Sequence, residues 1–159
     1  VTARAFVVTR CADETRLGEI LKIVHTAFGS LTPPSGALDE TLADVEARYK
    51  AGPILLARAG EQLIGSVFCT LNGGGLYLTR MAVLPEWQRR GVGRALLAAA
   101  EQEARALGAG KLMLRVRANL PDNRRYFESH GFRVTGQGQD PGRPPYDAME
   151  RPVAAAPPR

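Results

Sequence analysis

The chain has 159 residues and a formal charge of +5, with 45% hydrophobic and 23% charged residues. Length and composition fit one soluble domain with a real core and no need of disulfide staples. No apolar run approaches the roughly 20 residues that span a bilayer, so no membrane partner is expected. The N-terminus shows no signal-peptide pattern. The two cysteines, Cys11 and Cys69, stand far apart in no metal or disulfide spacing. A cytoplasmic protein without a metal is the expectation.

A basic balance suits nucleic acid, a membrane surface or an anionic small ligand. Aromatics at 6% are too few for the stacking platforms that bind nucleic-acid strands, so no nucleic-acid partner is expected. The arginines cluster instead, at 89, 90 and 94 and again at 115, 117, 124 and 125.

In chain order, AFVVT (5–9) reads as a short strand. Asp13 or Thr15 then caps a helix over about 14–28, whose Leu17, Ile20, Leu21, Val24 and Phe28 recur at helical spacing. GSLTPPSG (29–36) is a loop broken by two prolines. A second helix is predicted over about 38–50, with Leu38, Leu42, Val45 and Tyr49 on one side. The period then changes. PILLARA (53–59), QLIGSVFCTLN (62–72) and GLYLTRMAV (75–83) read as consecutive antiparallel strands joined by Gly turns. A helix over about 91–107 presents Val92, Leu96, Ala100 and Leu107, flanked by Leu97 and Ala104. KLMLRVR (111–117) alternates as a strand, a short helix covers about 121–130, and 132–137 and 145–153 read as closing strands. One α+β domain over 1–153 is expected, with a disordered tail at 154–159.

The stretch QRRGVG (88–93) sits where a strand ends and a helix begins. The first four N–H groups of a helix lack partners inside it, and the helix dipole makes that end positive. Gly91 and Gly93 let a ligand approach the backbone, while Arg89, Arg90 and Arg94 offer forked donors suited to phosphate oxygens. These features point to a diphosphate cradled by the N–H groups of residues 89–94. A phosphate loop of the Gly-Lys-Ser/Thr type is absent. The dinucleotide fingerprint fails because its third glycine would fall on Leu96.

The order strand 75–83, proline turn, Gln88, Arg89-Arg90, Gly91, Val92, Gly93 resembles the acetyl-CoA-binding motif of the GNAT N-acetyltransferase superfamily. That motif is a glutamine or arginine, two residues, Gly, one residue, then Gly or Ala. The preceding MAVLPEW (81–87) and the downstream YFESHGFRVTG (126–136) resemble the family's strand end and its second motif. The resemblance covers about residues 5–152. It implies a mixed, mostly antiparallel central sheet flanked by helices, with splayed fourth and fifth strands and the pantetheine arm lying in the gap. It implies acetyl-CoA as cosubstrate and transfer of the acetyl group to an amine. Backbone groups of Met81, Ala82 and Val83 would then meet pantetheine, and one N–H there would face the oxyanion formed at the thioester.

The second motif departs from the family pattern. The position of the family's usual general acid, a tyrosine, holds Phe127, and the tyrosine falls one place earlier at Tyr126. One residue of helix is about 100° of rotation, so the two are not expected to face the same groove. Phe127 is favoured as the residue packing at the thioester end, with the thiolate leaving unassisted or taking a proton from water; the alternative is that a small local shift brings in Tyr126 as the acid. The family's CoA-contacting asparagine is displaced too, since Leu120 stands at its place. Asn123 shares a helix face with Phe127 and is the first candidate for pantetheine, with Asn119 second. Arg124 and Arg125 are candidates for outlying phosphates.

No carboxylate stands out as general base. Glu128, Asp39 and Glu40 are the nearest in sequence to the motifs. His25 and His130 look structural or solvent-exposed, and Cys69 lacks a base partner for an acyl-cysteine route. Residues 29–40, 72–75 and 137–147 are expected to border the acceptor side. The acceptor is a small-molecule amine or a peptide N-terminus, and a homodimer is compatible with the resemblance. The alternative is a non-catalytic acyl-CoA-binding regulatory domain.

Overall fold

The computed structural model describes residues 5–29 and 35–154. Its strands are β1 (Val7–Arg10), β2 (Ile54–Ala59), β3 (Gln62–Asn72), β4 (Gly75–Val83), β5 (Lys111–Arg117), β6 (Arg133–Gly138) and β7 (Tyr146–Pro152). Its α-helices are α1 (Leu17–Phe28), α2 (Leu42–Ala51), α3 (Val92–Ala106) and α4 (Pro121–Ser129). The strands form one sheet in the order β1-β2-β3-β4-β5-β7-β6. Every neighbouring pair is antiparallel except β4 and β5, which run parallel.

Two cores cover the two faces, as period-2 alternation requires. Leu55 and Ala57 of β2 join Leu96, Leu97 and Ala100 of α3 on one face. Ile54 and Leu56 join Ile20, Val24 and Val45 of α1 and α2 on the other. The meander of β2, β3 and β4 agrees with its alternation, and α4 exposes most of its surface.

The parallel pairing of β4 with β5 spans only Leu76 with Leu112 and Tyr77 with Met113. Past Tyr77 the two strands diverge, and β5 continues on β7 alone. A bulge in β4 lies at the same place. Ser66 pairs with Ala82 and Phe68 with Thr79, so Arg80 and Met81 together face the single residue Val67. Arg80 takes a left-handed φ of 52° there, a conformation uncommon outside glycine. Leu84 N–H donates to the Ile64 carbonyl at 2.8 Å. Backbone groups alternate between edges along an antiparallel strand. Ala82 therefore turns its groups to β3, whereas Met81 and Val83 turn theirs to the edge that β5 has left.

Two elements differ from the sequence expectation. The second helix is split: a 3-10 turn covers Gly36–Asp39, Glu40 is extended, and α2 starts at Leu42. The cause is a capping box, in which Thr41 and Asp44 exchange hydrogen bonds of 3.2 and 2.8 Å. Leu38 and Leu42 are consequently exposed, and Leu107 follows α3 as an exposed C-cap rather than core. Of the predicted loop 29–36, residues 30–34 lie outside the described residues, as does the tail beyond Ala154. Ala154 itself is held, accepting from Arg105 and donating to Glu101.

Candidate functional site: a donor cavity and an acceptor cavity joined at the splay

A cavity of about 800 Å³ opens along the released edge of β4. Met81 and Val83 form one wall, and Asn123, Tyr126, Phe127 and His130 of the α4 region form another. Gln88, Arg89, Arg90, Gly91, Val92, Gly93 and Arg94 close it at the start of α3. Gly91 is the N-cap of α3 with φ 84°, a value that glycine adopts without strain. It gives the helix no side-chain cap, and no acidic residue lies in the first turn. The free N–H groups of α3 are thus left to an outside acceptor. A Cβ built on Gly91 would meet nothing within 4 Å. Arg89 is also left-handed, at φ 61°, so two nearby positive-φ residues shape this turn. Its lining carries three arginines and no carboxylate. Gln88 donates from Nε2 to the Val83 carbonyl at 3.2 Å, which ties the turn to the end of β4. Arg90 lies 5.5 Å over the buried Trp87 ring.

Tyr126 and Phe127 both line this cavity, which corrects the expectation that only one of them can. The cavity wraps around α4, so side chains about 100° apart still reach it. They do different things. The Tyr126 hydroxyl occupies the space that a Cβ at Gly93 would need, so the second glycine is required by a tyrosine rather than left open for a ligand. The Tyr126 ring stands edge-on to Phe127 at 5.1 Å and to His130 at 4.6 Å. Burial pushes its hydroxyl above the usual tyrosine range, partly offset by Arg94, so it is un-ionised at neutral pH. Burial, with Arg94 and Arg151, lowers His130 and keeps its ring neutral.

A second cavity, of about 540 Å³, adjoins the first. Met81, Asn123 and Phe127 line both, so the three mark the junction. Arg48, Arg80, Arg115, Arg117 and Arg143 line the second cavity with Asp140. Behind them the buried Glu40 carboxylate lies 3.4 Å from Arg48 and 3.4 Å from Arg80. Arg48 also donates to Thr79 Oγ1 at 3.0 Å.

Some predicted residues lie elsewhere. Ala82 has a buried side chain and a backbone committed to Ser66, and neither it nor Asn119 lines the donor cavity. Arg124 lies 3.4 Å from Glu128 and 3.6 Å from the buried Asp147, and Arg125 pairs with Asp122. Asp39 and Glu40 are both held by arginines. The turn at 72–75 sits at the opposite end of β4 from the bulge and does not border the second cavity. Burial pushes the Cys69 thiol up to about 12, so it carries no thiolate for acyl transfer. Trp87, Arg48 and Arg80 were given no role from the sequence, and His130 was read as structural or solvent-exposed. Only the tryptophan, closing MAVLPEW, had a local signal. Among the described residues no helix is long and apolar enough to cross a membrane.

A mixed sheet splayed between β4 and β5, with an uncapped, glycine-led helix start at the gap, frames the site. Residues 19–132 match the model of the Acetyltransferase (GNAT) family, and the chain belongs to that family. The fold is similar to that of the ribosomal-protein-S18-alanine N-acetyltransferase from Escherichia coli, with a TM-score of 0.77 and 21% identity over 96% of this chain and 97% of that one. Ard1 from Thermoplasma volcanium gives a TM-score of 0.81 and 19% identity over 95% and 99%. YncA from Salmonella typhimurium, solved with its cofactor acetyl-CoA, gives 0.70 and 24% over 96% and 98%. No curated protein sequence matches significantly.

Proposed function

We propose that the protein transfers the acetyl group of acetyl-CoA to a primary amine of a small molecule or a peptide N-terminus. The observation that carries this reading is the edge of β4 that β5 has left at Met81 and Val83, where Gln88 meets the Val83 carbonyl, opening onto the uncapped start of α3. Residues 89–94 would hold the diphosphate through backbone N–H groups, with the arginines adding charge. Met81 and Val83 would pair with the pantetheine amides as a missing strand, and Asn123 would contact the same arm. Ala82 and Asn119 drop out of this assignment, because one is turned to β3 and the other lies outside the cavity.

The thioester would lie at the junction formed by Met81, Asn123 and Phe127. There the amine nitrogen attacks the carbonyl carbon, and the oxygen takes the developing charge. A Met81 N–H aimed at that oxygen would lower the barrier, as preorganised donors do. The C–S bond then breaks, the thiolate leaves and is protonated, and the amine nitrogen gives up its extra proton to water. Phe127 has no proton to give. Tyr126 holds one, but its hydroxyl packs over Gly93, and it lines the first cavity and not the second. Water is therefore the proton source in this proposal, with Tyr126 as the side-chain alternative.

The test is thiol release from acetyl-CoA with a panel of amines and peptides, beside calorimetry with CoA. Tight CoA binding and amine-dependent release are expected. Binding without turnover on any amine would favour a regulatory acyl-CoA-binding domain, and no binding would overturn both.

A further inference from the structure

The second cavity has an unusual charge for a place that must receive an amine. Its charged lining is five arginines and one aspartate, brought from α2, β4, β5 and the turn before β7. Their nearby carboxylates do not cancel them. Glu40 is shared between Arg48 and Arg80, so one negative charge serves two guanidiniums. Its Oε1 accepts no hydrogen bond, and its Oε2 accepts one from Arg80 Nε at 3.4 Å. Arg115 lies 4.2 Å over the Tyr146 ring and 3.5 Å from Asp140. Arg143 lies 3.5 Å from Asp39. These long ion pairs leave donors for another anion.

A cationic amine meets repulsion at such a wall, and a polyamine meets more. An amine with its own anion is drawn in, because guanidiniums bind carboxylate and phosphate through paired N–H donors. The same field disfavours the ammonium form of the incoming nitrogen. That helps supply the neutral nucleophile where Asp39 and Glu40 are already engaged by arginines. The cavity, at about 540 Å³, lies within the range of roughly 300–1,000 Å³ typical of small-molecule sites. We infer that the acceptor is a small primary amine bearing its own carboxylate or phosphate, held by this arginine wall while its nitrogen reaches the junction at Met81, Asn123 and Phe127. The inference rests on the acetyl-transfer reading above and narrows it.

Matched acceptors test it: L-glutamate against L-glutamine, L-phenylalanine against its amide, and O-phosphoethanolamine against ethanolamine. Spermidine and a glutamate-led tripeptide complete the set. In at least one pair the anionic member is expected to have a kcat/KM at least tenfold higher, and the responding pair tells carboxylate from phosphate. Arg115→Gln should cut that preference at least fivefold, mainly through acceptor KM, and Arg115→Lys should keep most of it. Melting curves of both variants exclude a folding defect. A neutral or cationic preference throughout, or a preference untouched by Arg115→Gln, overturns the inference and leaves acetyl transfer standing. Preference for the tripeptide over free glutamate overturns the small acceptor. CoA binding with none of these amines acetylated overturns it too. Failure to bind CoA, read by calorimetry, is separate from these outcomes and fells both proposals.

Discussion

The two cavities meet at three residues and are built by opposite means. The proposed donor cavity is closed by one continuous stretch, residues 88–94, and it offers main-chain N–H donors at a helix start that has no side-chain cap. The acceptor cavity is lined by charged side chains from four separate segments, held by buried or partner carboxylates. Backbone donors are fixed by the helix itself and cost little to hold in place. Guanidiniums on long stems must be positioned by other groups, which is the part Glu40 plays. The donor side should therefore respond to changes of backbone shape, and the acceptor side to changes of charge.

Gly91→Asp is the harshest test of that contrast. It adds a like charge beside the phosphates at a left-handed residue whose Cβ would project into open space. CoA affinity should fall more than 100-fold, which is about 2.8 kcal/mol at 1.4 kcal/mol per tenfold. The fold should persist with a modest loss of melting temperature, because Asp tolerates the left-handed region better than most residues. Normal CoA binding by the folded variant, measured calorimetrically, would end the backbone-cradle account.

Glu40→Gln should act on the other side alone. It removes the shared charge between Arg48 and Arg80, and unfolding stability should drop by about 2 kcal/mol. That is below the roughly 3–5 kcal/mol for breaking a fully buried pair, since both arginines are partly exposed. CoA affinity should stay within about twofold, and denaturant titration with calorimetry reads both. A large loss of CoA affinity would show that the two cavities are not built independently.

Arg89 separates charge from shape within the donor turn. Arg89→Ala loses an exposed charge, worth about 1 kcal/mol or less, and keeps a strained φ of 61°. Arg89→Gly loses the same charge but relieves the strain. Both should weaken CoA binding less than tenfold, and less still at high salt. The glycine variant should melt above the alanine one. Equal melting would mean that the left-handed turn stores no strain.

The smallest effect is expected at Tyr126. With its hydroxyl packed over Gly93 and water proposed as the proton source, Tyr126→Phe should leave kcat within about threefold. A loss near the 10²–10⁴ range of general acid catalysis would move the proton donor back to this residue.

Much of this molecule was legible because its signals are local. A change of period and Gly turns placed β2 to β4, alternation placed β5, and helical spacing placed α1 and α3, since backbone geometry sets which side a residue faces. Thr41 and Asp44 carried a capping signal that splits the second helix, and the apolar run from Leu38 to Tyr49 masked it. The turn at 88–94 was readable for the same local reason: glycine position and helix polarity act within one turn of chain.

Other features belong to the assembled sheet. The parallel pairing of β4 and β5 stops after two residues, and only a register between distant strands decides that. The bulge that puts Arg80 at a left-handed φ comes from the pairing of Ser66 and Phe68 with β4, not from any property of arginine. That Tyr126 and Phe127 share one cavity depends on how the cavity wraps α4. Arg115 stood in a sequence cluster with 117, 124 and 125, while Arg48, Arg80 and Arg143 lie far from it along the chain. They become one wall because the splay draws α2, β4, β5 and the turn before β7 around the same space.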